Sequence, residues 1–377
     1  MEHIAYLDNS STTKPSKKVV QYITRALESN WGNPSSLHRI GMEAEIALNE
    51  ARESVAHTVN ARADEIFFTG SGTEANNTAL LSVLKAKSRG GRIITTAIEH
   101  PSVLETAKRL EDYGFEVVCL KPDSNGIIPI TELENALTDN TLLVSMMLVN
   151  NETGAVQPVE KAAALTRHIA PLALFHCDAV QGYGKLSVNV KRLGVDLLSA
   201  SGHKIHGPKG IGFLYCKKGV HISPLITGGG QERGMRSGTE STPLIMGLMG
   251  AAEELPKPET QLKIQQELFD YTRDRLLKIG ALINSPEGCL PYILNISLVG
   301  YRSETLLHFL ESRNVFVSSG SACAKGHGSY VLNEMGLEPK RVDSALRISF
   351  SRYNTKEDAD MLVSALEEAK KQLRKAN

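Results

Sequence analysis

Between residues 66 and 216 the chain alternates short apolar segments with helical patterns, and this alternation restricts the fold more than any other feature. Several of the apolar segments lack polar alternation, as expected for strands buried on both faces of a parallel sheet. Strands that alternate with helices predict right-handed crossovers and an open α/β sheet, whose ligands bind beyond the carboxyl ends of the strands. The predicted fold is a mostly parallel seven-stranded sheet with strands at 66–69, 92–97, 115–120, 142–148, 172–177, 197–200 and 211–216.

The segments outside this sheet predict a second, smaller domain. At 377 residues the chain suits one large domain and one small one. Residues 1–14 are irregular and are expected to pack near the active site, and residues 15–255 form the large domain. The linker at Pro256-Lys257-Pro258 opens a compact α+β domain over 256–377.

Charge and cysteine content exclude several classes of protein. Lysine plus arginine and aspartate plus glutamate both number 42, which gives no general affinity for nucleic acid or anionic membranes. No apolar run is long enough to span a bilayer. The five cysteines are scattered without a C-x-x-C pair, which argues against a disulfide framework or structural zinc and for a reducing compartment. With no signal pattern at residues 1–8, the sequence predicts a cytoplasmic protein.

Three motifs that follow predicted strands could bind a ligand or could simply shape the chain. T-G-S-G-T-E at 69–74 begins a helical pattern and could bind an anion at the helix N-terminus, or Ser71 could be an ordinary cap. His100, after the second strand, could cap the next helix or stack on a planar ligand. Asn150 and Asn151, after the fourth strand, could form only a turn.

Asp178 and Lys204 follow the fifth and sixth predicted strands, so both can project into one cleft. A carboxylate at the end of a buried strand needs a cationic partner, because an unpaired buried charge is costly. In a pyridoxal phosphate site that partner is the protonated pyridine nitrogen. Lys204, in S-G-H-K-I-H-G-P-K-G, could be a surface charge or a desolvated amine that forms a Schiff base with an aldehyde cofactor.

These motifs, with G-G-G-Q-E-R-G-M-R-S-G-T and S-S-G-S-A-C further along, resemble the cysteine desulfurases of the NifS/IscS-like branch. That branch belongs to the class V aminotransferase family of fold-type-I pyridoxal phosphate enzymes. The resemblance covers the chain from Tyr6 nearly to the C-terminus. It implies pyridoxal 5'-phosphate as cofactor, L-cysteine as substrate and a homodimer.

The resemblance also assigns roles to matched residues. Lys204 would form the Schiff base and act as base at the substrate α-carbon, and Asp178 would pair with the pyridine nitrogen. His100 would stack on the ring and handle the proton of the substrate thiol, while Gln181 would hydrogen-bond the ring hydroxyl. The residues implied to bind the cofactor phosphate are Gly72, Thr73, Ser201, His203 and the neighbouring subunit's Thr239. The residues implied to bind the substrate are Asn33, Arg347 and Asn151, and Asn151 would also contact the cofactor.

Cys323 lies in a glycine-rich loop, unlike Cys119, Cys177 and Cys216 in apolar strands. It could be a surface thiol without consequence. By the resemblance, its thiolate takes sulfur from cysteine, carries it as a persulfide and releases alanine, with Lys325 and His327 able to lower the thiol pKa. No resident metal is expected, and Cys323 would at most be a transient iron–sulfur ligand.

The loop after Cys323 departs from the family pattern. It is about two residues shorter than in better-known members, with A-K-G-H-G where those carry a Leu-Glu-Pro before Ser329. The sulfur acceptor therefore stays open among iron–sulfur scaffolds, transfer RNA thiolation enzymes and small sulfur carriers. Rival functions are a selenocysteine lyase on the same scaffold and a non-catalytic cluster-assembly scaffold. The Cys323 loop argues against a serine-using aminotransferase or a kynureninase-like enzyme, and the missing G-x-G-x-x-G spacing argues against a dehydrogenase.

Overall fold

The centre of the molecule is a seven-stranded sheet, seen in a computed structural model that describes residues 3–319 and 328–375. The strands, in chain order through the described residues, are β1 (Ala5–Tyr6), β2 (Ile66–Thr69), β3 (Arg92–Thr96), β4 (Glu116–Leu120), β5 (Thr141–Ser145), β6 (Leu174–Asp178), β7 (Leu197–Ser201), β8 (Gly212–Cys216), β9 (Leu282–Ile283), β10 (Ile293–Ser297), β11 (Val315–Phe316) and β12 (Ala345–Ser349). The large sheet has the order β2-β8-β7-β6-β5-β3-β4. The predicted fold class is confirmed.

The helices of the described residues connect and flank these strands. They are α1 (Lys17–Ser29), α2 (Arg39–Thr58), α3 (Gly72–Leu81), α4 (Pro101–Asp112), α5 (Ile130–Ala136), α6 (Val159–Ile169), α7 (Val190–Leu193), α8 (Thr242–Glu253), α9 (Pro258–Lys278), α10 (Ser303–Glu311), α11 (Tyr330–Glu334), α12 (Pro339–Asp343) and α13 (Lys356–Gln372). Within residues 3–319 and 328–375, no helix combines the length and apolar character needed to cross a membrane.

Strand direction in the large sheet follows from the length of the connections. The pairs that join β4, β3, β5, β6 and β7 are parallel, while β8 is antiparallel to both β7 and β2. Parallel neighbours need a long crossover, usually a helix. Between β7 and β8 the chain makes only a short turn that includes Gly202–Lys204, so β8 returns antiparallel. That turn places Lys204 at the carboxyl end of β7.

Both faces of the sheet are buried, as its apolar strands predict, except at the edge strand β4, where Glu116 and Cys119 are exposed. Neighbouring residues on one strand point to opposite faces. Phe67 and Ile93 accordingly pack with α3 and α4 in one apolar cluster, while Phe68 and Ile94 belong to the larger cluster on the other side.

A second sheet, β12-β10-β9, is antiparallel and packs with α9, α10 and α13 around its own apolar cluster. Ala5 and Leu7 from the N-terminal segment are buried in the same cluster. The predicted domain boundary at residue 256 falls between α8 and α9 and stays a prediction.

Short elements and element ends differ from the sequence prediction. The segment predicted to be irregular contains β1, which pairs in parallel with β11, and β9 was not predicted. Two residues carry too little pattern to indicate a strand. The helical pattern that T-G-S-G-T-E begins is a helix from Gly72, where the Ser71 hydroxyl accepts from the Glu74 N–H at 3.1 Å, and it continues as a 3₁₀ helix from Ser82.

Candidate active site

A cavity of about 610 Å³ opens beyond the carboxyl ends of the parallel strands. Open α/β sheets bind their ligands at this edge. Its lining brings together predicted site residues from β6, β7, β12 and the starts of α3 and α4, namely Gly72, Thr73, His100, Asn151, Asp178, Gln181, Ser201, His203, Lys204 and Arg347.

Two predicted residues, Asn33 and Thr239, are not part of this lining, and a third lies outside the described residues. Asn33 is exposed, and its side-chain oxygen accepts from the Ser35 N–H at 2.9 Å. Thr239 is also exposed and does not line the cavity of its own chain. Cys323 lies outside the described residues, as do Lys325 and His327.

Asp178 ends β6 as a buried carboxylate at the cavity wall. Its Oδ2 accepts from Asn76 Nδ2 at 2.7 Å, and its Oδ1 accepts from the Val180 N–H at 2.9 Å. Both contacts come from neutral donors, so they fix the carboxylate without neutralising it. The group therefore presents negative charge to any ligand in the cavity.

Asn76 was missed by the sequence prediction. Its amide joins two functional side chains, because Nδ2 also donates to Ser102 Oγ at 2.9 Å, and Ser102 in turn contacts His100. The available signal was spacing, since Asn76 follows Thr73 by three residues and shares its helix face.

His100 caps α4 and also lines the cavity, so the capping interpretation is confirmed and stacking on a planar ligand stays a prediction. Its Nδ1 accepts from the Ser102 N–H at 3.1 Å. Burial lowers the pKa of His100. The positive charge of Lys204 lowers this pKa further, and the negative charge of Asp178 opposes the shift. A neutral imidazole that accepts at Nδ1 carries its hydrogen on Nε2.

Lys204 reaches into the cavity from the turn after β7. Its Nζ donates to the carbonyl oxygens of Ser10 and Ser11, the latter at 2.8 Å. Burial, with a smaller contribution from Arg347, lowers the pKa of Lys204 to about 8, against Asp8 and Asp178. Since only the unprotonated amine is nucleophilic, this lowered pKa favours attack on a carbonyl group.

The start of α3 has features that suit an anion. The first N–H groups of a helix have no intrahelical acceptor, and the helix dipole favours negative charge there. A Cβ atom on Gly72 would lie 2.8 Å from Val180 Cγ2, so glycine is what allows this close packing. Ser201 and His203 face the same region, and burial followed by Lys204 lowers the pKa of His203 to about 4.

Arg347, on β12, brings the second sheet to the cavity. Its Nη1 donates to the Asn151 carbonyl at 3.0 Å, and its Nη2 donates to Asp8 Oδ1 at 3.0 Å and Ser11 Oγ at 2.6 Å. The Arg347 Nε and the Asn151 Oδ1 are buried without a hydrogen-bond partner among the described residues. Unsatisfied polar atoms of this kind suit a polar ligand.

The N-terminal segment contributes more to the site than the sequence indicated. Ser10 and Ser11 line the cavity, and Asp8 pairs with Arg347. Sequence spacing could not reveal these contacts, because Asp8 and Arg347 are 339 positions apart and Ser10 and Lys204 are 194 positions apart.

The fold and this site define a class of protein that the comparisons identify. The family model "Aminotransferase class-V" matches residues 5–362, and the chain belongs to that family. The family membership predicted from the motifs is confirmed.

Similar proteins within the family include cysteine desulfurases. A "Cysteine desulfurase" of Nostoc sp. (strain PCC 7120 / SAG 25.82 / UTEX 2576) is 42% identical, over 98% of this chain and 94% of that protein. A "Cysteine desulfurase IscS" of Clostridium botulinum (strain Kyoto / Type A2) is 41% identical, over 99% of this chain and 96% of that protein. A solved "NIFS-LIKE PROTEIN" superposes with a TM-score of 0.93 at 39% identity, covering 98% of this chain and all of that one.

Proposed function

We propose that the protein is a pyridoxal phosphate-dependent cysteine desulfurase that converts L-cysteine to L-alanine and leaves the sulfur on Cys323 as a persulfide. This proposal rests on one observation: the same cavity is lined by Lys204, Asp178 and Arg347. A nucleophilic amine, a carboxylate and a guanidinium are the groups that an aldehyde cofactor with a basic ring and an amino acid substrate require.

The residues present fit the cofactor. The buried Asp178 carboxylate, held by neutral donors, suits the protonated pyridine nitrogen. The start of α3, with Ser201 and His203, suits the phosphate, and His100 suits a position against the ring. When bound, the cofactor supplies an electron sink for the substrate α-carbon.

The chain's own residues then bind the substrate and move its protons. Arg347, whose Nε donor is buried and unsatisfied, would bind the substrate carboxylate, and Asn151 would contact the same group through its amide N–H donors. Lys204 would take the α-proton, and its lowered pKa makes the neutral amine available for this task. His100 would handle the thiol proton at Nε2, because Nδ1 is engaged by the Ser102 N–H.

Cys323 completes the proposed reaction. The bond between the substrate sulfur and its β-carbon breaks as the Cys323 thiolate bonds to that sulfur, so one cysteine gives one alanine and one persulfide. This step rests on the sequence, since Cys323 lies outside the described residues. A reducing cytoplasm, as the cysteine pattern predicts, would keep the thiol available.

We also propose a homodimer in which Thr239 reaches the partner's cofactor phosphate. Thr239 is exposed and away from its own cavity. Large apolar side chains on one stretch of chain, Trp31, Leu37 and Met42, are 65%, 97% and 53% exposed, which is typical of an interface. The sulfur acceptor would be an iron–sulfur scaffold, a transfer RNA thiolation enzyme or a small sulfur carrier.

The proposal is tested by measuring L-alanine release from L-cysteine by the cofactor-loaded protein. Lys204→Ala should lower the rate by at least about a hundredfold, because the α-proton loses its base. Lys209→Ala removes an exposed lysine from the same turn region and should leave the rate unchanged. Alanine release that survives in Lys204→Ala, or a wild-type protein that binds the cofactor but releases none, contradicts the proposal. Turnover of selenocysteine in the same assay measures the rival function.

A further inference from the structure

A second buried lysine, Lys185, lies behind the cavity in the chain that follows β6. It is 7% exposed, and its Nζ donates to Gln181 Oε1 at 3.0 Å. The Tyr292 ring centroid lies 5.7 Å from the same nitrogen. Among the residues described, no carboxylate pairs with Lys185. Such a costly buried cation, held by one amide and one ring, calls for a functional reason.

The contact fixes which end of the Gln181 amide faces which neighbour. An ammonium group has donors only, so it must face the amide oxygen. The other end of the amide is then a donor, and Gln181 Nε2 donates to the Ser10 carbonyl at 2.9 Å. The Ser10 carbonyl, which also accepts from Lys204, requires the nitrogen end of the amide, and Lys185 requires the oxygen end. Both neighbours of Gln181 therefore require the same orientation.

We propose that Lys185 is a positioning residue that holds the Gln181 amide with its N–H donors toward the cavity. This rests on the proposed function, in which Gln181 would hydrogen-bond the ring hydroxyl oxygen of the cofactor. Without Lys185 only the Ser10 carbonyl would favour this orientation, and an amide that turned would present its oxygen, an acceptor, to the ring oxygen, which is also an acceptor. Lys185 would thus determine whether Gln181, which lines the cavity, presents a hydrogen-bond donor or an acceptor there.

The surroundings of Lys185 are mainly cationic or neutral. Burial, followed by Lys204 and Arg347, lowers the pKa of Lys185 to about 7. His203 and His206 also face it, since its charge contributes to lowering the pKa of each. Lys185 is protonated below that pKa. The neutral amine still has N–H donors, so the contact to Gln181 persists above it.

The test is a pH titration of the visible absorbance of the bound cofactor. In Lys185→Met the hydroxyl oxygen of the cofactor ring would lose a hydrogen-bond donor and become more basic. The proton that it shares with the Lys204 nitrogen would then dissociate at higher pH, so the midpoint of the titration should rise by about one pH unit. The cofactor should also dissociate about tenfold faster. Lys161→Met, which removes an exposed lysine from α6, should change neither value.

A double-mutant comparison separates positioning from a simple charge effect. If Lys185 acts through Gln181, adding Lys185→Met to Gln181→Met should produce no further shift. A full additional shift in that background, or a wild-type midpoint in Lys185→Met alone, overturns the inference.

A second variant keeps the inference testable if Lys185→Met does not fold. Gln181→Glu retains an acceptor for Lys185 but offers the cavity no donor, so it too should raise the midpoint. An unchanged midpoint in Gln181→Glu overturns the donor role. Failure of the wild-type protein to bind the cofactor at all would instead contradict the proposed function.

Discussion

At the residue scale, the reactivity of the site depends on burial acting against ordinary ionisation. Lys204 is surrounded by backbone carbonyls and by Arg347, which lies across the cavity, and its pKa falls from 10.5 to about 8. Desolvation is the largest cause, so burial lowers the pKa of Lys204 more than any single neighbouring charge does. Asp178 and Asp8 oppose the shift and limit it.

This shift predicts how the cofactor-free protein captures pyridoxal phosphate at different pH. The neutral fraction of Lys204 rises about tenfold per pH unit below its pKa and levels off above it. The rate at which cofactor absorbance appears should therefore increase with pH and reach a plateau above about pH 8. N-acetyl-lysine methyl amide is the control, since an unperturbed lysine amine titrates at about 10.4. A rate for the protein that keeps rising alongside the control would contradict the lowered pKa.

The residues that were predictable from sequence are those with a motif around them. Lys204, Asp178 and Gly72 lie at strand ends within short distinctive stretches, and all line the cavity. Asn76 and Asp8 make contacts with residues far along the chain, which no local pattern encodes. Asn76 meets Asp178 across 102 positions, so only the assembled fold makes the pair visible.

At the element scale, the glycine-rich segment that carries Thr239 is attached to α2 and β2 by a buried ion pair, among other contacts. Arg52 on α2 donates to both carboxylate oxygens of Glu232, each at 2.7 Å. Glu232 Oε2 also accepts from the Phe68 N–H on β2 at 2.9 Å. Glu232 and Arg233 both adopt positive φ, at 48° and 55°, which is unfavourable for residues with a side chain. The ion pair holds the segment in this conformation.

Breaking that ion pair should destabilise the protein strongly. Glu232→Gln leaves the buried Arg52 charge unpaired, and we expect the free energy of unfolding to fall by about 3–5 kcal/mol. Chemical denaturation measures the change. Asp64→Asn breaks an exposed ion pair with Arg62 and should have almost no effect. Equal losses in the two variants would show that burial of the Arg52–Glu232 pair is not what matters.

Element positions were largely predictable because strands and helices follow local periodicity. Each strand of the large sheet matches a predicted apolar segment, with ends that differ by a few residues. The direction of β8 and the pairing of β1 with β11 were not predictable, since both depend on how distant segments meet. Two-residue strands such as β9 have no periodicity to detect.

At the scale of the whole molecule, the active site joins the first and last parts of the chain. Leu7 is buried in the cluster formed by the C-terminal helices, while Ser10 and Ser11, just beyond it, reach Lys204. Asp8 pairs with Arg347 from β12. In the proposed function, the large sheet would supply the residues that face the cofactor, and the second sheet and N-terminal segment would supply those that face the substrate.

The central claim is that this assembled site delivers sulfur to Cys323, and mass spectrometry after one turnover tests it most directly. The cofactor-loaded protein, mixed with a single equivalent of L-cysteine, should gain one sulfur atom on the peptide that contains Cys323 and release an equal amount of L-alanine. Cys289→Ala removes a buried thiol and should give the same result. An unmodified Cys323 peptide, or alanine formed at the wild-type rate by Cys323→Ala, would contradict the claim.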